Sequence, residues 1–338
     1  MNKTFLTLSL ILAFQAHAQN DNSCSDIAAF TCNAVVASDG TSVGSVKASK
    51  SEFTETLKTE TFPAVQKAFI KKISSLPLEE TARTTILAKI SKMKFSTECE
   101  QLSNRLDESL WPNSFYTHSD NVFYLCKAKP GMSEFVVAKM IASELSEMIN
   151  PCGINNIIPR PREKNESLEQ SEKEYPIKGL ISCLRSENTA GAKRDGSKAF
   201  KETKFCTDDQ VTRSVSDWLT TEVVTDYISQ KYDSHENNKE NLTASQWRQG
   251  IANSYNSECS FDRPDDGFSE DLSFQRRMNS IVGTNPTLRN KLGCYNKAAY
   301  AYCDGSNPDA MAKVIGQPKA AGSGGGTTTP ANSQGGVK

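Results

Sequence analysis

The segment from Ser133 to Ile149 reads SEFVVAKMIASELSEMI, and its apolar residues recur at the spacing of one helical face. Asn150-Pro151 follows directly, so we predict a helix that ends at Ile149. Its predicted apolar face consists of Val137, Met140, Ile141, Leu145 and Met148. Glu144 falls inside this face, where a carboxylate is costly to bury without a partner. The segment therefore predicts a core helix that carries a buried acid.

Further helical patterns flank this segment on both sides, and strand patterns are few. Helices are predicted within Ser51 to about Phe95 (two of them), at Glu98 to Leu110, at about Gln210 to Tyr232 and at about Thr243 to Tyr255. Two short strands are predicted at Asn113–Tyr116 and Val122–Leu125, on either side of a polar turn. The expected fold class is mainly α (α+β), with a small sheet.

The first residues have the pattern of a secretory signal. An apolar run from Phe5 to Phe14 precedes Ala16-His17-Ala18, the small-x-small pattern after which a signal peptidase cuts. We expect residues 1–18 to be a signal peptide and the mature chain to start near Gln19. No later stretch is apolar enough for a transmembrane helix. The sequence thus predicts an exported protein, periplasmic or extracellular, that is not integral to a membrane.

All ten cysteines lie after the predicted cut, and an even number in an exported chain indicates disulfides. They are Cys24, Cys32, Cys99, Cys126, Cys152, Cys183, Cys206, Cys259, Cys294 and Cys303. Loop length favours pairing Cys24 with Cys32 and Cys294 with Cys303, but the sequence leaves the connectivity open. The absence of a CxxC pair gives no support to a cysteine-based zinc site.

Charge and composition limit the kinds of partner and the domain boundaries that we expect. The chain has 39 basic and 40 acidic residues and no basic stripe interleaved with aromatics, so nucleic acid is not an expected partner. We predict an N-terminal helical region at 19–110 and a second domain at 111–304. The Gly-, Ser- and Thr-rich tail at 305–338 cannot bury enough apolar surface to order itself, so we expect it to be disordered.

The helix from Ser133 to Ile149 also has the spacing of a zinc-peptidase helix. In the pattern HExxH, two imidazoles one turn apart bind zinc, and the Glu between them activates the metal-bound water. Glu144 stands at the position of that Glu, while the two ligand positions are Ser143 and Glu147. The spacing is present, but the ligands are replaced.

Three further segments occur in the order typical of the neprilysin-type family of gluzincin zinc metallopeptidases, which the chain resembles over about 113–303. They are Asn113-Ser114-Phe115-Tyr116 followed by Asn121-Val122-Phe123-Tyr124, then Arg213-Ser214-Val215-Ser216-Asp217, then Asp262-Arg263-Pro264 followed by Asn285-Pro286 to Gly293-Cys294. The resemblance implies a zincin-like helical domain braced by disulfides. It also implies an edge strand whose Asn113, Ser114 and Tyr116 bind the backbone of a peptide.

Where the resemblance implies catalytic groups, this chain has other residues. Arg213 takes the place of the third zinc ligand, and Arg263 takes the place of a histidine that would stabilise the transition state. Asp217 stands where an acid would orient a ligand histidine. His118 and His235 are the histidines after residue 18, and neither has a histidine one helical turn away. We therefore expect no zinc, no cofactor and no catalysis.

A buried Glu144 requires a compensating group, and Arg213 is the candidate that the resemblance indicates. We predict that its guanidinium replaces the metal and bridges Glu144 or Glu147. The alternative is a local pair between Arg213 and Asp217, one helical turn apart. A calcium ion among Glu144, Glu147 and Asp217 is a further alternative, against which the charge of Arg213 argues.

The leading functional hypothesis is an exported, catalytically inactive metallopeptidase-like protein that acts by binding a peptide or a protein. One alternative is an active hydrolase that uses Glu144 as a base with an unrecognised partner. Another is an interaction domain of an exported assembly whose tail reaches a partner.

Overall fold

The computed structural model describes residues 24–34, 49–99, 113–150, 153–157, 177, 179–184, 186, 209–233, 241–261, 274–295 and 300–305. Several predictions lie outside these residues: the signal peptide, the helix beyond Cys99, Cys152, Cys206, His235, Arg263 and the tail beyond Gly305. The described part of the chain is mostly helical and contains one small sheet.

The helices occur where the apolar periodicity predicts them, with some additions. They are α1 (Ile27–Asn33), α2 (Lys50–Thr56), α3 (Phe62–Ser75), α4 (Glu80–Ser91), α5 (Glu134–Ile149), α6 (Ile154–Ile157), α7 (Asp209–Asp233), α8 (Ala244–Tyr255), α9 (Phe274–Ser280) and α10 (Pro286–Lys291). A π-helical turn at Leu57–Thr61 joins α2 to α3, and 3₁₀ turns lie at Asn256–Phe261 and Val282–Thr284. Five of the predicted helices are confirmed in position: two within 51–95 and one each at 133–149, at about 210–232 and at about 243–255.

Local sequence fixes where several of these helices begin. Ser49 and Glu52 form a capping box at the start of α2, and Thr243 and Gln246 form the same arrangement at the start of α8. Each box satisfies backbone N–H groups that have no partner within the first helical turn. At α10, the side chain of Asn285 accepts a hydrogen bond from the backbone N–H of Leu288 at 2.7 Å.

The sheet has three strands in the order β1 (Lys94–Ser96), β3 (Val122–Leu125), β2 (Ser114–Thr117). β2 pairs with β3 antiparallel, and β1 pairs with β3 parallel. Both predicted strands are confirmed. β1 was not expected, because three residues directly after a helix carry no measurable alternation. β2 therefore lies at one edge of the sheet.

The core is built around α7, which packs against α5 and α3. All five residues of the predicted apolar face of α5 are buried. On α7 the matching buried residues are Val215, Trp218, Leu219, Val223, Val224, Tyr227 and Ile228. Residues from both sides of position 111 contribute to this core, since α3 belongs to it as much as α5 and α7 do.

Among the described residues, four disulfides tie separate parts of the chain together. They are Cys24–Cys294, Cys32–Cys259, Cys99–Cys126 and Cys183–Cys303. The predicted short-range pairs of Cys24 with Cys32 and of Cys294 with Cys303 are therefore wrong. The physical reason is that Cys32 lies within α1 and Cys24 before its start, so the rise of the helix separates their Cα atoms too far for a disulfide.

α1 (Ile27–Asn33) lies before the first predicted helix, because residues 19 to about 48 show no sustained helical period in the sequence. Asp26 caps the helix by accepting a hydrogen bond from the backbone N–H of Ala29 at 2.9 Å. α1 then packs against α8 and α9, and the two long-range disulfides hold it there. Seven residues are too few to show the helical period convincingly in sequence.

Within the described residues, no helix combines the length and the apolarity that crossing a membrane requires. The four disulfides are compatible with an exported protein that folds in an oxidising compartment.

One buried carboxylate links α5 to α7. Glu134, in the first turn of α5, is 8% exposed and accepts hydrogen bonds from the hydroxyls of Tyr227 and Tyr232 and from the ammonium of Lys231. The Tyr232 bond measures 2.7 Å. The carboxylate also lies at the positive end of the dipole of α5. Glu134 thus satisfies three donors at once.

We expect Glu134→Ala to lower the free energy of unfolding by about 2–4 kcal/mol, because it leaves buried donors without an acceptor. Urea unfolding followed by circular dichroism measures this change. Glu55→Ala, at an exposed position of α2, is the matched control and should unfold as the wild type does. Equal midpoints for the Glu134 and Glu55 variants would contradict the role assigned to Glu134.

Candidate functional site

The outer edge of β2 carries main-chain groups that β3 does not use. The backbone N–H of Cys126 donates to the carbonyl of Asn113 at 3.0 Å, which marks these two residues as a hydrogen-bonded pair. Because such pairs alternate along an antiparallel ladder, Phe115 and Thr117 also bond to β3. The N–H and C=O groups of Ser114 and Tyr116 therefore point away from β3, towards an edge of the sheet that no other described strand occupies.

Glu144 lies against this edge. Hydrogen bonds from the backbone of Tyr116 and from the side chain of Ser114 favour its ionised form. The single hydrogen of the Ser114 hydroxyl is shared between Glu144 and the carbonyl of Met140, one turn earlier in α5, whose oxygen lies 3.3 Å from the Ser114 Oγ. Glu144, which the sequence predicted within the apolar face of α5, is thus hydrogen-bonded to residues of β2.

Burial dominates the titration of Glu144. Desolvation, and after it the neighbouring negative charge of Glu147, raise the pKa of the carboxyl to about 7 against the opposing effect of the hydrogen bonds from Tyr116 and Ser114. At neutral pH, a carboxyl whose pKa is about 7 is present in both its protonated and its ionised form, so it can release or take up a proton.

Glu147 lies three residues after Glu144, slightly less than one helical turn, and faces α7. Desolvation of its carboxylate raises its pKa, although much of the residue is exposed. The positive charge of Arg213 lowers that pKa, and the negative charge of Asp217 raises it. The packing of α5 against α7 thus brings Glu147, Arg213 and Asp217 within electrostatic reach of one another.

The described partners of Glu144 are Ser114 and Tyr116, whereas Arg213 acts electrostatically on Glu147. Of the two bridges predicted for Arg213, the structure therefore favours the one to Glu147. Arg213 itself is exposed on α7.

Asp217 forms an ion pair that the sequence did not indicate. The guanidinium of Arg277 donates from Nε to Oδ2 of Asp217 at 2.7 Å, and its Nη2 lies 3.5 Å from Glu258. Burial raises the pKa of Asp217, and the charge of Arg277 opposes that rise. Asp217 thus has a long-range partner in Arg277, which is itself only 9% exposed.

Lys139 completes the charge cluster from α5. Its ammonium pairs with Glu258 and lies over the ring of Tyr255, 4.3 Å from the ring centroid. Cys259, the residue after Glu258, is joined by a disulfide to Cys32 of α1. Two cations, Lys139 and Arg277, therefore share the acids Asp217 and Glu258, so that the buried charges on these four residues balance.

Sequence analysis missed Lys139, Glu258 and Arg277. In the sequence, none of the three has an oppositely charged residue at helical spacing, so they look like solvated charges. Arg277 pairs with Asp217, 60 positions away, and Lys139 pairs with Glu258, 119 positions away. Only the tertiary packing of α5, α7 and α9 reveals it.

The remaining predicted residues have simpler positions. Ser143 is partly exposed on α5, and Asn113 uses its carbonyl in the inner ladder with Cys126. His118 packs edge-on against the ring of Tyr116, with centroids 4.6 Å apart. Burial and the charge of Lys89 lower the pKa of the His118 imidazole.

Ser143, Glu147 and Arg213, at the positions where the resemblance implies zinc ligands, do not form a zinc donor set. A guanidinium has no lone pair to offer a metal, so Arg213 cannot replace a glutamate ligand. Among the residues that the structure describes, no group of three or more His, Cys, Asp or Glu side chains could hold a metal ion. The calcium alternative gains no support from these residues.

The chain matches no protein-family model and no curated protein. Its functional assignment therefore rests on the geometry of its own residues.

The raised pKa of Glu144 predicts a pH-dependent cost to stability. The carboxyl titrates near 4.5 without its folded surroundings and at about 7 within them, so the folded chain binds more protons between these values. Its contribution to stability is therefore fully present below about pH 4.5 and is lost as the pH rises towards 7. Glu144→Gln cannot ionise, and we expect it to exceed the wild type by up to about 3 kcal/mol above pH 7.

Urea unfolding of the wild type and of Glu144→Gln at pH 4 and pH 8 measures this difference. The two proteins should agree at the lower pH and diverge at the higher one. Glu55→Gln, at an exposed position, serves as the control and should follow the wild type at both. A Glu144→Gln protein without added stability at pH 8 would show that Glu144 is not desolvated.

Proposed function

We propose that this chain is a metallopeptidase-like protein without catalytic activity, which binds an extended peptide along the outer edge of β2. The observation that carries the proposal is the outward direction, beside α5, of the N–H and C=O of Ser114 and of the C=O of Tyr116, since the N–H of Tyr116 already donates to Glu144. An extended peptide can add to such an edge through main-chain hydrogen bonds. Glu144 stands at the same edge and bounds the groove on the side of α5.

The charge arrangement supports a loss of catalysis in this proposal. Ser143, Glu147 and Arg213 occupy the three positions where the family resemblance implies zinc ligands. Arg213 lowers the pKa of Glu147, and Arg277 pairs with Asp217. Side-chain cations thus compensate acids in the region where a metallopeptidase would use a metal ion.

The proposal includes export from the cytoplasm. It rests on the signal-like pattern of residues 1–18 and on the long-range disulfides, since such bonds persist in oxidising compartments. The partner in this setting is a peptide or an unfolded segment of a protein.

We expect a fluorescent pool of random octapeptides, acetylated and amidated at their ends, to bind the wild-type protein. The measurement is fluorescence anisotropy. A second pool, N-methylated at alternate residues, should bind at least about tenfold more weakly, because methylation removes the main-chain donors on which strand addition depends.

A pair of variants at one position tests the same edge from the side of the protein. Ser114→Pro removes an outward N–H without breaking the ladder to β3, and it should weaken peptide binding. Ser114→Ala keeps that N–H and should bind as the wild type does. Equal affinity for both peptide pools, or full binding by a folded Ser114→Pro protein, would contradict β2 as the binding edge.

One observation favours a second candidate, an active hydrolase. The pKa of Glu144, raised to about 7, is suited to a general base that works near neutral pH. In that case the wild type would degrade fluorescein-labelled casein, and its rate would rise as the pH passes through 7 and Glu144 ionises. Glu144→Gln would then lose at least about a hundredfold in rate.

The binding proposal expects the opposite result in this assay. Wild type and Glu144→Gln should release the same background fluorescence from casein at pH 6 and pH 8. A rate that depends on both Glu144 and pH would replace the binding proposal with the hydrolase.

A further inference from the structure

A second cleft lies on the other side of α7. It is lined by α3, α7 and the start of α10, and its volume is about 260 Å³. With about 3.6 residues per turn, Glu222, Asp226 and Ser229 fall on the face of α7 nearly opposite Arg213 and Asp217. The cleft is therefore separate from the edge of β2.

The floor of the cleft is held rigidly. Glu222 accepts hydrogen bonds from the amide of Asn285 and from the hydroxyl of Tyr302, the latter at 2.8 Å. The same carboxylate pairs with Lys72, whose ammonium lies 4.4 Å from the ring centroid of Trp218. These contacts fix the floor before any ligand arrives.

The charges that line the cleft cancel. Lys72 pairs with Glu222 at 2.5 Å, and Lys71 pairs with Asp226 at 2.8 Å on the outer rim. Each pair joins α3 to α7. A lining of two cations and two anions concentrates neither sign of charge, so it gives no advantage to an anion or to a cation.

The lining also offers hydrogen-bonding groups with spare capacity. Among the described residues, the hydroxyl of Ser229 is buried and has no hydrogen-bond partner, which is uncommon for a buried polar group. Lys71 has three donor hydrogens, and Asp226 accepts from it and from Gln230 while keeping further lone pairs. Thr225 and Thr287 add two hydroxyls to the wall. The lining thus offers both donors and acceptors.

We propose that this cleft binds a small, uncharged polyhydroxylated ligand of monosaccharide size. Sugar hydroxyls both donate and accept, which matches a lining of carboxylates, an ammonium and hydroxyl groups whose net charge is zero. The volume is somewhat below the range of about 300–1,000 Å³ typical of drug-sized ligands, so a single sugar ring fits the size better than an oligosaccharide. The hydroxyl of Ser229 gains the partner that the protein itself does not supply.

Saturation-transfer NMR tests the proposal on the full-length protein. The probes are glucose, galactose, mannose and N-acetylglucosamine, with acetate and tetramethylammonium as an anionic and a cationic comparison. At least one monosaccharide should receive saturation from the protein, and both charged probes should receive none. Absence of transfer to every monosaccharide, or transfer to acetate or tetramethylammonium alone, would overturn the proposal.

Variants locate the binding within the cleft. Ser229→Leu fills the space beside the floor and should abolish transfer to the sugar, while Ser91→Leu makes the same change at an exposed position of α4 and should preserve it. Ser229→Ala removes the hydroxyl alone, keeps the fold if the larger residue does not, and should weaken binding about tenfold. Undiminished sugar binding by Ser229→Ala would exclude this cleft as the site.

Discussion

The close packing of α5 against α7 is the contact on which the rest of the structure depends. Small polar residues lie where the two helices meet: the hydroxyl of Thr220 donates to that of Ser146 at 3.3 Å, and the amide of Asn150 donates to that of Ser216 at 3.2 Å. Ser146 is fully buried, so this contact allows the helices to approach closely without burying unpaired polar groups. Large apolar residues surround the seam and form the core. The same packing places the acids of α5 opposite the charged residues of α7.

The charges beside this seam are balanced by residues from four parts of the chain. α5 supplies Lys139, α7 supplies Asp217, the turn after α8 supplies Glu258 and α9 supplies Arg277. Removing one member would leave an uncompensated buried charge, which costs more than the complete cluster contributes. Glu144 is compensated differently, by hydrogen bonds from the edge strand. The proposed peptide groove and the charge cluster are therefore two consequences of one helix, α5.

How far the sequence predicts this arrangement depends on the range of the interactions. The period of residues 133–149 was enough to locate α5, its apolar face and the buried Glu144, because these are properties of one helix. The family resemblance further predicted that Asn113, Ser114 and Tyr116 bind the backbone of a peptide, and this stays a prediction, while Ser114 and Tyr116 lie beside Glu144. The pairing of Asp217 with Arg277 and the disulfides of α1 could not be predicted, since they join segments whose proximity only the folded core determines. Neither the hydrophobic periodicity nor the residue spacing in the sequence indicates contacts of this kind.

The central claim is that protein cations, rather than a metal ion, compensate the acids of the site proposed to be metallopeptidase-like. Titration of the full-length protein with zinc in a calorimeter, after dialysis against a chelator, tests that claim most directly. The account predicts no stoichiometric binding and an unchanged thermal midpoint when zinc is present. One tightly bound zinc per chain, with a raised midpoint that Glu147→Gln abolishes, would contradict it.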